Sequence, residues 1–251
     1  MRAPALNRGA IMPLPSKIRL LALASSVTWG IACGGSEPPP KDASVKDQAP
    51  KTDDGPHITA SAEIGGMNED AVDAAFKSSV KGLQRCLDTG AKQVEFLGGS
   101  VSFFLKIDAT GRVAKSYLEH STLGNRTTER CMLDALAAKS WPKPVGGEHG
   151  LARKSFTFDP PNDVREPITW DGHDAEPGLK KIASDVGKCK EGQRGPFEAT
   201  LYVGTSGKVL SAGATPPDED GEAVVDCLVG VLESASFPSP GSWPAKVTVQ
   251  L

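Results

Sequence analysis

The sequence is short of histidine, of closely paired cysteine, of basic excess and of long apolar runs, and each shortage closes off a class of function. Histidine occurs four times. His57, His120, His149 and His173 have no second ligand at helical spacing and no H-E-x-x-H context, so they carry no zinc-enzyme signature. The five cysteines, Cys33, Cys86, Cys131, Cys189 and Cys227, form no C-x-x-C pair, which argues against a zinc site. A net charge of -3 supplies no electrostatic footprint for nucleic acid. Gly98-Gly99 and Gly146-Gly147 precede no Lys-Ser/Thr pair and make no phosphate loop. Glu119-His120-Ser121 puts neighbours on opposite faces of a strand, not in a catalytic pair. No catalytic, metal or cofactor residue is assigned, and the expectation is a non-enzyme.

The main apolar run, Leu20 to Ala32, is 13 residues long, too short for a mature membrane helix but suited to the core of a signal peptide. Lys17 and Arg19 precede it. Residues 1–32 are read as that signal, with translation starting at Met1 or Met12. Ile31-Ala32 before Cys33 looks like the cleavage site of a bacterial lipoprotein, although Gly30 stands where Leu or Val is usual. The expected outcome is a lipid on Cys33, which also accounts for the odd cysteine. Gly34 in place of an acidic residue points to the outer membrane, facing the periplasm. Residues 33–66, with Pro38-Pro39-Pro40 and almost no large apolar side chain, read as a disordered tether.

Beyond the tether the chain repeats itself. Gly111, Cys131, Trp141, Pro142 and Pro144 recur as Gly207, Cys227, Phe237, Pro238 and Pro240, each 96 residues on. Val101, Leu105 and Ile107 align with Phe197, Leu201 and Val203 in the same register. Chance rarely preserves such a set, so the reading is a tandem repeat: one unit at 67–159, a linker at 160–170 around Pro160-Pro161, and a divergent second unit at 171–251. Cys86 and Cys189 correspond at an offset of 103, so the first unit carries about seven extra residues between Thr89 and Ser100. These are expected to be a tolerated loop insertion.

Each unit reads as α-β-β-α-β with an antiparallel sheet, an α+β fold. Asn68 caps a helix with its stripe at Val72, Phe76, Ser79/Val80, Leu83 and Cys86. Val101, Phe103, Leu105 and Ile107 alternate with Ser102, Phe104 and Lys106, a strand with one buried face. Asp108 to Gly111 is a hairpin turn with Gly111 at positive φ. The partner strand reaches about His120, a helix spans about Asn125 to Lys139, and a strand covers Leu151 to Phe158. In the second unit a helix carries Leu179, Ile182, Val186 and Cys189. A strand follows at Phe197–Val203, a helix at Glu222–Ser234 and a last strand at Ala245–Leu251. Asp218-Glu219-Asp220-Gly221-Glu222 lacks the spacing of a calcium loop and suits the positive end of a helix. Trp141 and Phe237 read as core plugs; Trp170 and Trp243 as seals at domain edges.

Four cysteines allow three pairings, and the repeat selects one: each unit has a cysteine ending its first helix and one in its second. Cys86–Cys131 and Cys189–Cys227 follow. Closing loops of 45 and 38 residues should stabilise each unit by about 4 kcal/mol on the chain-entropy account.

Ser121-Thr122-Leu123-Gly124-Asn125, Glu129, Cys131 and Trp141-Pro142-Lys143-Pro144-Val145-Gly146-Gly147 together resemble the AgmX/PglI C-terminal domain, a module of gliding-motility and other envelope proteins similar to the C-terminal domain of TonB. Phe76, Cys86 and the Asp108-x-x-Gly111 hairpin match its earlier half. The second unit shows Ala214-Thr215-Pro216-Pro217-Asp218 in place of the Ser-Thr-Leu-Gly-Asn run. The resemblance implies two small TonB-C-like units in the bacterial cell envelope, with no catalytic residue. It further implies partner binding by strand addition, the receiving edge being the final or the hairpin strand and the partner an envelope protein or peptide. The alternative is a structural spacer in an envelope or motility assembly. The remaining contact is with the membrane, through the lipid on Cys33.

Overall fold

A computed structural model of the chain describes residues 62–64, 66–160 and 163–251. The expected signal peptide, Cys33 and most of the expected tether lie outside them. Twelve elements follow in order: β1 (Ala62–Ile64), α1 (Glu69–Gly90), β2 (Gly99–Asp108), β3 (Val113–Ser121), α2 (Arg126–Ala137), β4 (Gly147–Phe158), β5 (Ile168–Thr169), α3 (Gly172–Cys189), β6 (Glu198–Val203), β7 (Val209–Thr215), α4 (Glu222–Ser234) and β8 (Ala245–Gln250). The fold is mixed α+β, with four helices among the described residues and two four-stranded sheets, ordered β1-β4-β2-β3 and β5-β8-β6-β7. Pairs within each sheet are antiparallel except β1/β4 and β5/β8, which are parallel.

The local chemistry that sets the helices is visible at their starts. Asn68 accepts the Ala71 amide, Asn125 the Thr128 amide, and Asp171 forms a reciprocal box with Asp174. Along α1 the inward stripe is Val72, Phe76, Ser79, Leu83 and Cys86, while Val80 lies 41% exposed. Ser79 sits inside by donating its hydroxyl to the Ala75 carbonyl at 2.8 Å. Both hairpins turn the same way. Gly111 and Gly207 adopt φ of +87° and +79°, and their carbonyls accept the Trp141 and Phe237 amides, each at 2.8 Å. A Cβ at either glycine would strike the Trp141 or Phe237 carbonyl, so glycine is required twice over. The aromatic that follows each second helix is a core plug in both sheets. Trp141 meets Phe76 edge-on at 4.7 Å and donates its indole N–H to the Leu136 carbonyl; Phe237 lies on Gly178 of α3, where a side chain would collide with its ring.

The disulfides are Cys86–Cys131 and Cys189–Cys227, with Cα separations of 5.8 and 5.7 Å. Each ties the first helix of its sheet to the second.

Four expectations are corrected. Residues 62–64, placed in the tether, form β1, and Gly66 exchanges both backbone hydrogen bonds with Val145. Within the segment placed as linker, Ile168–Thr169 form β5 on β8. Both strands are two or three residues long and held through the main chain, so composition does not announce them. The seven extra residues before β2 are no free loop, because Val94, Phe96 and Leu97 are buried in the core. Finally, β2 does not bury a single face: Phe104, on the other side, is only 7% exposed, tilted against Tyr117 at 4.8 Å and covered by the Arg153 guanidinium at 4.6 Å.

Candidate functional site

The Ser-Thr-Leu-Gly-Asn run at the end of β3 does not face solvent. Ser121, Leu123 and Asn125 are buried, and the segment docks on the outward face of the second sheet. Thr200 donates its hydroxyl to the Ser121 carbonyl at 3.2 Å, Asn125 donates its amide to Ser211 Oγ at 2.8 Å, and Ser211 in turn donates to the Gly124 carbonyl at 2.8 Å. A Cβ at Gly124 would press on Thr200 and Tyr202. Tyr202 is fully buried. Its hydroxyl reaches the Gly98 carbonyl at 3.2 Å and its ring lies 5.4 Å from Phe96. Within the segment before β2, Phe96 and Gly98 thus also serve the contact between the two sheets.

Charges lock the rim of this joint. Arg126 of α2 donates to Glu222 and Asp226 of α4, each at 2.7 Å, and Arg130 donates to Asp226 at 2.8 Å. Lys106 and Lys115 approach Glu219 and Asp220 at 3.5 and 3.8 Å. His120 Nδ1 lies 2.7 Å from Glu198 Oε1. The acidic run at 218–222 thus pairs largely with residues of β2, β3 and α2, and its remaining member, Asp218, accepts the Asp220 and Gly221 amides. The hydrogen bond from Arg126 holds Asp226 below the usual carboxylate range.

Two ionisable groups are enclosed in the joint. Glu129 is fully buried. Ser121 donates to its Oε1 at 2.7 Å, and among the described residues its Oε2 has no hydrogen-bond partner. Burial pushes its pKa up to about 7, against the pull of Ser121 and Arg126. Lys246 donates to the Gly98 carbonyl at 2.7 Å above the Tyr202 ring, and burial lowers its pKa to about 8.

The remaining strand edges differ in accessibility. The hairpin strands β3 and β7 lie in the joint, with β3 against both β6 and β7. The final strands β4 and β8 each carry a short parallel partner at one end only. On β8 the Pro244 and Lys246 carbonyls point to β5, accepting Ile168 and Trp170, whereas the Leu251 amide points inward to Phe197. Alternation therefore directs the backbone groups of Thr248 and Gln250 to the open edge. A groove of about 430 Å³ lies beside it, lined by Leu179, Ala183, Val186 and Leu251 with Lys180 and Lys190. In the first sheet the corresponding space is occupied by Phe76 and Phe156, whose rings are 6.1 Å apart.

The four disulfide cysteines are thus structural, and Cys33 lies outside the described residues. Sequence reasoning missed Thr200, Tyr202, Ser211, Gly213 and the Arg126/Arg130–Glu222/Asp226 set. A signal existed: from Ala199 to Val203, β6 is apolar or hydroxyl-bearing on both faces, and arginines in α2 stand where α4 has acids. Among the described residues no group of His, Cys, Asp and Glu is placed to hold a metal, and no helix is long and apolar enough to cross a membrane. No family model matches this chain, and comparison with characterised proteins and with solved structures likewise finds no match.

Proposed function

We propose that this chain is a non-catalytic protein-binding module of the bacterial cell envelope. It would consist of two TonB-C-like units derived from one duplicated ancestor, tethered by a lipid on Cys33. Support for the duplication comes from the common strand order, the matched hairpin glycines and the matched disulfides. Two disulfides suit an oxidising compartment outside the cytoplasm.

The observation that carries the binding role is the open edge of β8 beside an apolar groove. An extended envelope peptide would add to this edge through the outward groups of Thr248 and Gln250, and seat an alternate apolar side chain among Leu179, Ala183 and Val186. Of the two edges named from the sequence, the hairpin strands are engaged in the joint, which leaves the final strands. Thr248→Pro removes one outward N–H at an edge position where proline is tolerated. The test is capture from a solubilised envelope fraction by the full-length protein and by T248P. Loss of a bound protein on T248P, with its circular dichroism and Tm retained, supports strand addition; capture that is equal with both refutes it.

The spacer alternative draws on one specific observation, the joint that fixes both sheets as one body. A spacer would function equally with its two units exchanged in order, whereas a binder that uses the β8 groove would not.

A further inference from the structure

The two halves meet through equivalent parts. β3 and β7 are the outer hairpin strands of their own sheets, and they lie against each other. Arg126 pairs with Glu222, and Arg130 pairs with Asp226, each across a separation of 96 residues. That is the spacing that aligns Gly111 with Gly207 and Cys131 with Cys227. Each of these residues therefore touches its own counterpart. In a two-fold arrangement only positions at the axis can do so, because half a turn exchanges the two partners and leaves the contact in place. Contacts away from an axis should occur in reciprocal pairs, and one does: Lys115 faces Asp220 at 3.8 Å, while their counterparts Ser211 and Gly124 are joined by a hydrogen bond of 2.8 Å; β3 against β6 and α2 against β7 have no counterparts of like extent, so the relation is approximate.

We propose that the halves are related by a pseudo-two-fold axis passing between α2 and α4 and between β3 and β7. The joint is then a homodimer interface carried inside one chain, and the partner its faces fit is a second copy of the same unit. A symmetric ancestor would set like residues against each other at the axis. Here one half carries Arg126 and Arg130 and the other Glu222 and Asp226, so each half prefers the other to itself. Covalent linkage makes closure intramolecular and keeps the chain monomeric. Where closure is weakened, two chains can satisfy the same faces by exchanging halves. The inference rests on the duplication argued above and is independent of strand addition.

Charge reversal in the full chain tests it. R126E/R130E makes the axis wholly acidic, and E222R/D226R makes it wholly basic. Each reversal is expected to lower Tm by about 5 °C, and the four substitutions together to restore it to within about 2 °C as a monomer. Co-expressed with different tags, the acidic and basic chains should form a 1:1 pair in native mass spectrometry, because exchange of halves sets arginine against acid at both joints. Three results would each overturn the proposal: reversals that leave Tm unchanged, a fourfold variant no more stable than either reversal, or co-expressed chains that remain separate monomers. Should either reversal fail to accumulate, the fourfold variant and the co-expressed pair still decide the matter. No envelope partner enters the measurement, so its failure is distinct from failure of the binding role.

Discussion

Glu129→Gln should remove a pH dependence of stability that the wild-type joint carries. The carboxyl is fully buried, and its pKa rises from 4.5 to about 7. In the unfolded chain it titrates near its ordinary value, so between pH 4.5 and 7 the folded protein holds a proton that the unfolded chain has released. Stability from this group is therefore intact below pH 4.5, falls as pH rises, and is fully lost above about 7. The whole shift corresponds to about 3 kcal/mol, reached at about 1.4 kcal/mol per pH unit where the two protonation states differ fully. Glutamine has the shape of the protonated acid and keeps an acceptor for the Ser121 hydroxyl, which donates at 2.7 Å. Its amide meets the Oε2 position, which lacks a partner among the described residues, and an unpaired donor there costs about 1–3 kcal/mol at every pH. Urea unfolding at pH 5, 6, 7 and 8, with the disulfides intact, separates the two effects. Relative to wild type, the variant should gain about 3 kcal/mol between pH 5 and 8, whatever its offset. Parallel wild-type and variant profiles would refute the assignment of Glu129 as the group that titrates in the joint.

Two further outcomes follow from the same geometry. Gly213→Ala brings a Cβ into both carboxylate oxygens of Glu129 and should destabilise by about 1–3 kcal/mol. Adding Glu129→Ala should recover part of that loss, a coupling that a double-mutant cycle in urea would measure and that additive effects would rule out. Replacing Cys86 and Cys131, or Cys189 and Cys227, with alanine should cost about 4 kcal/mol per pair, since the closed loops span 45 and 38 residues. Losses of under 1 kcal/mol would show that the denatured chain is already restrained without the crosslinks.

What the sequence made legible was what each sheet and its helices do among themselves. Helix caps, the stripe on α1, the two hairpin glycines and both disulfides were readable because periodicity, turn chemistry and a fixed repeat spacing each act over a few residues or recur twice. The boundaries of α4, Glu222–Ser234, coincide with those observed. What escaped was the contact between the two sheets. Thr200 and Tyr202 occupy the polar phase of an alternating strand, and alternation alone assigns that phase to solvent. They are buried because another sheet stands over them, a fact local pattern does not encode. β1 and β5 escaped for a different reason, since strands of two or three residues are too short to show an alternating pattern.

The Ser-Thr-Leu-Gly-Asn run shows why a distinctive motif need not mark a ligand site. Its residues satisfy demands that conflict anywhere but at a joint. Leu123 belongs to the first core, Gly124 must leave room for Thr200 and Tyr202, and Asn125 both caps α2 and reaches Ser211 of β7. In the second half Ala214-Thr215-Pro216-Pro217-Asp218 stands in place of the run. The residues that follow it, Glu219 and Asp220, face Lys106 and Lys115 across the joint. On the proposed two-fold arrangement, opposite charge on the two sides lets each half prefer the other to itself. Beside β8 the smaller Leu179 lines a groove, whereas at the matching place on α1 Phe76 is fully buried against Trp141. On the proposed binding role, the space left by the smaller side chain beside the open strand edge is where a partner's apolar side chain would seat.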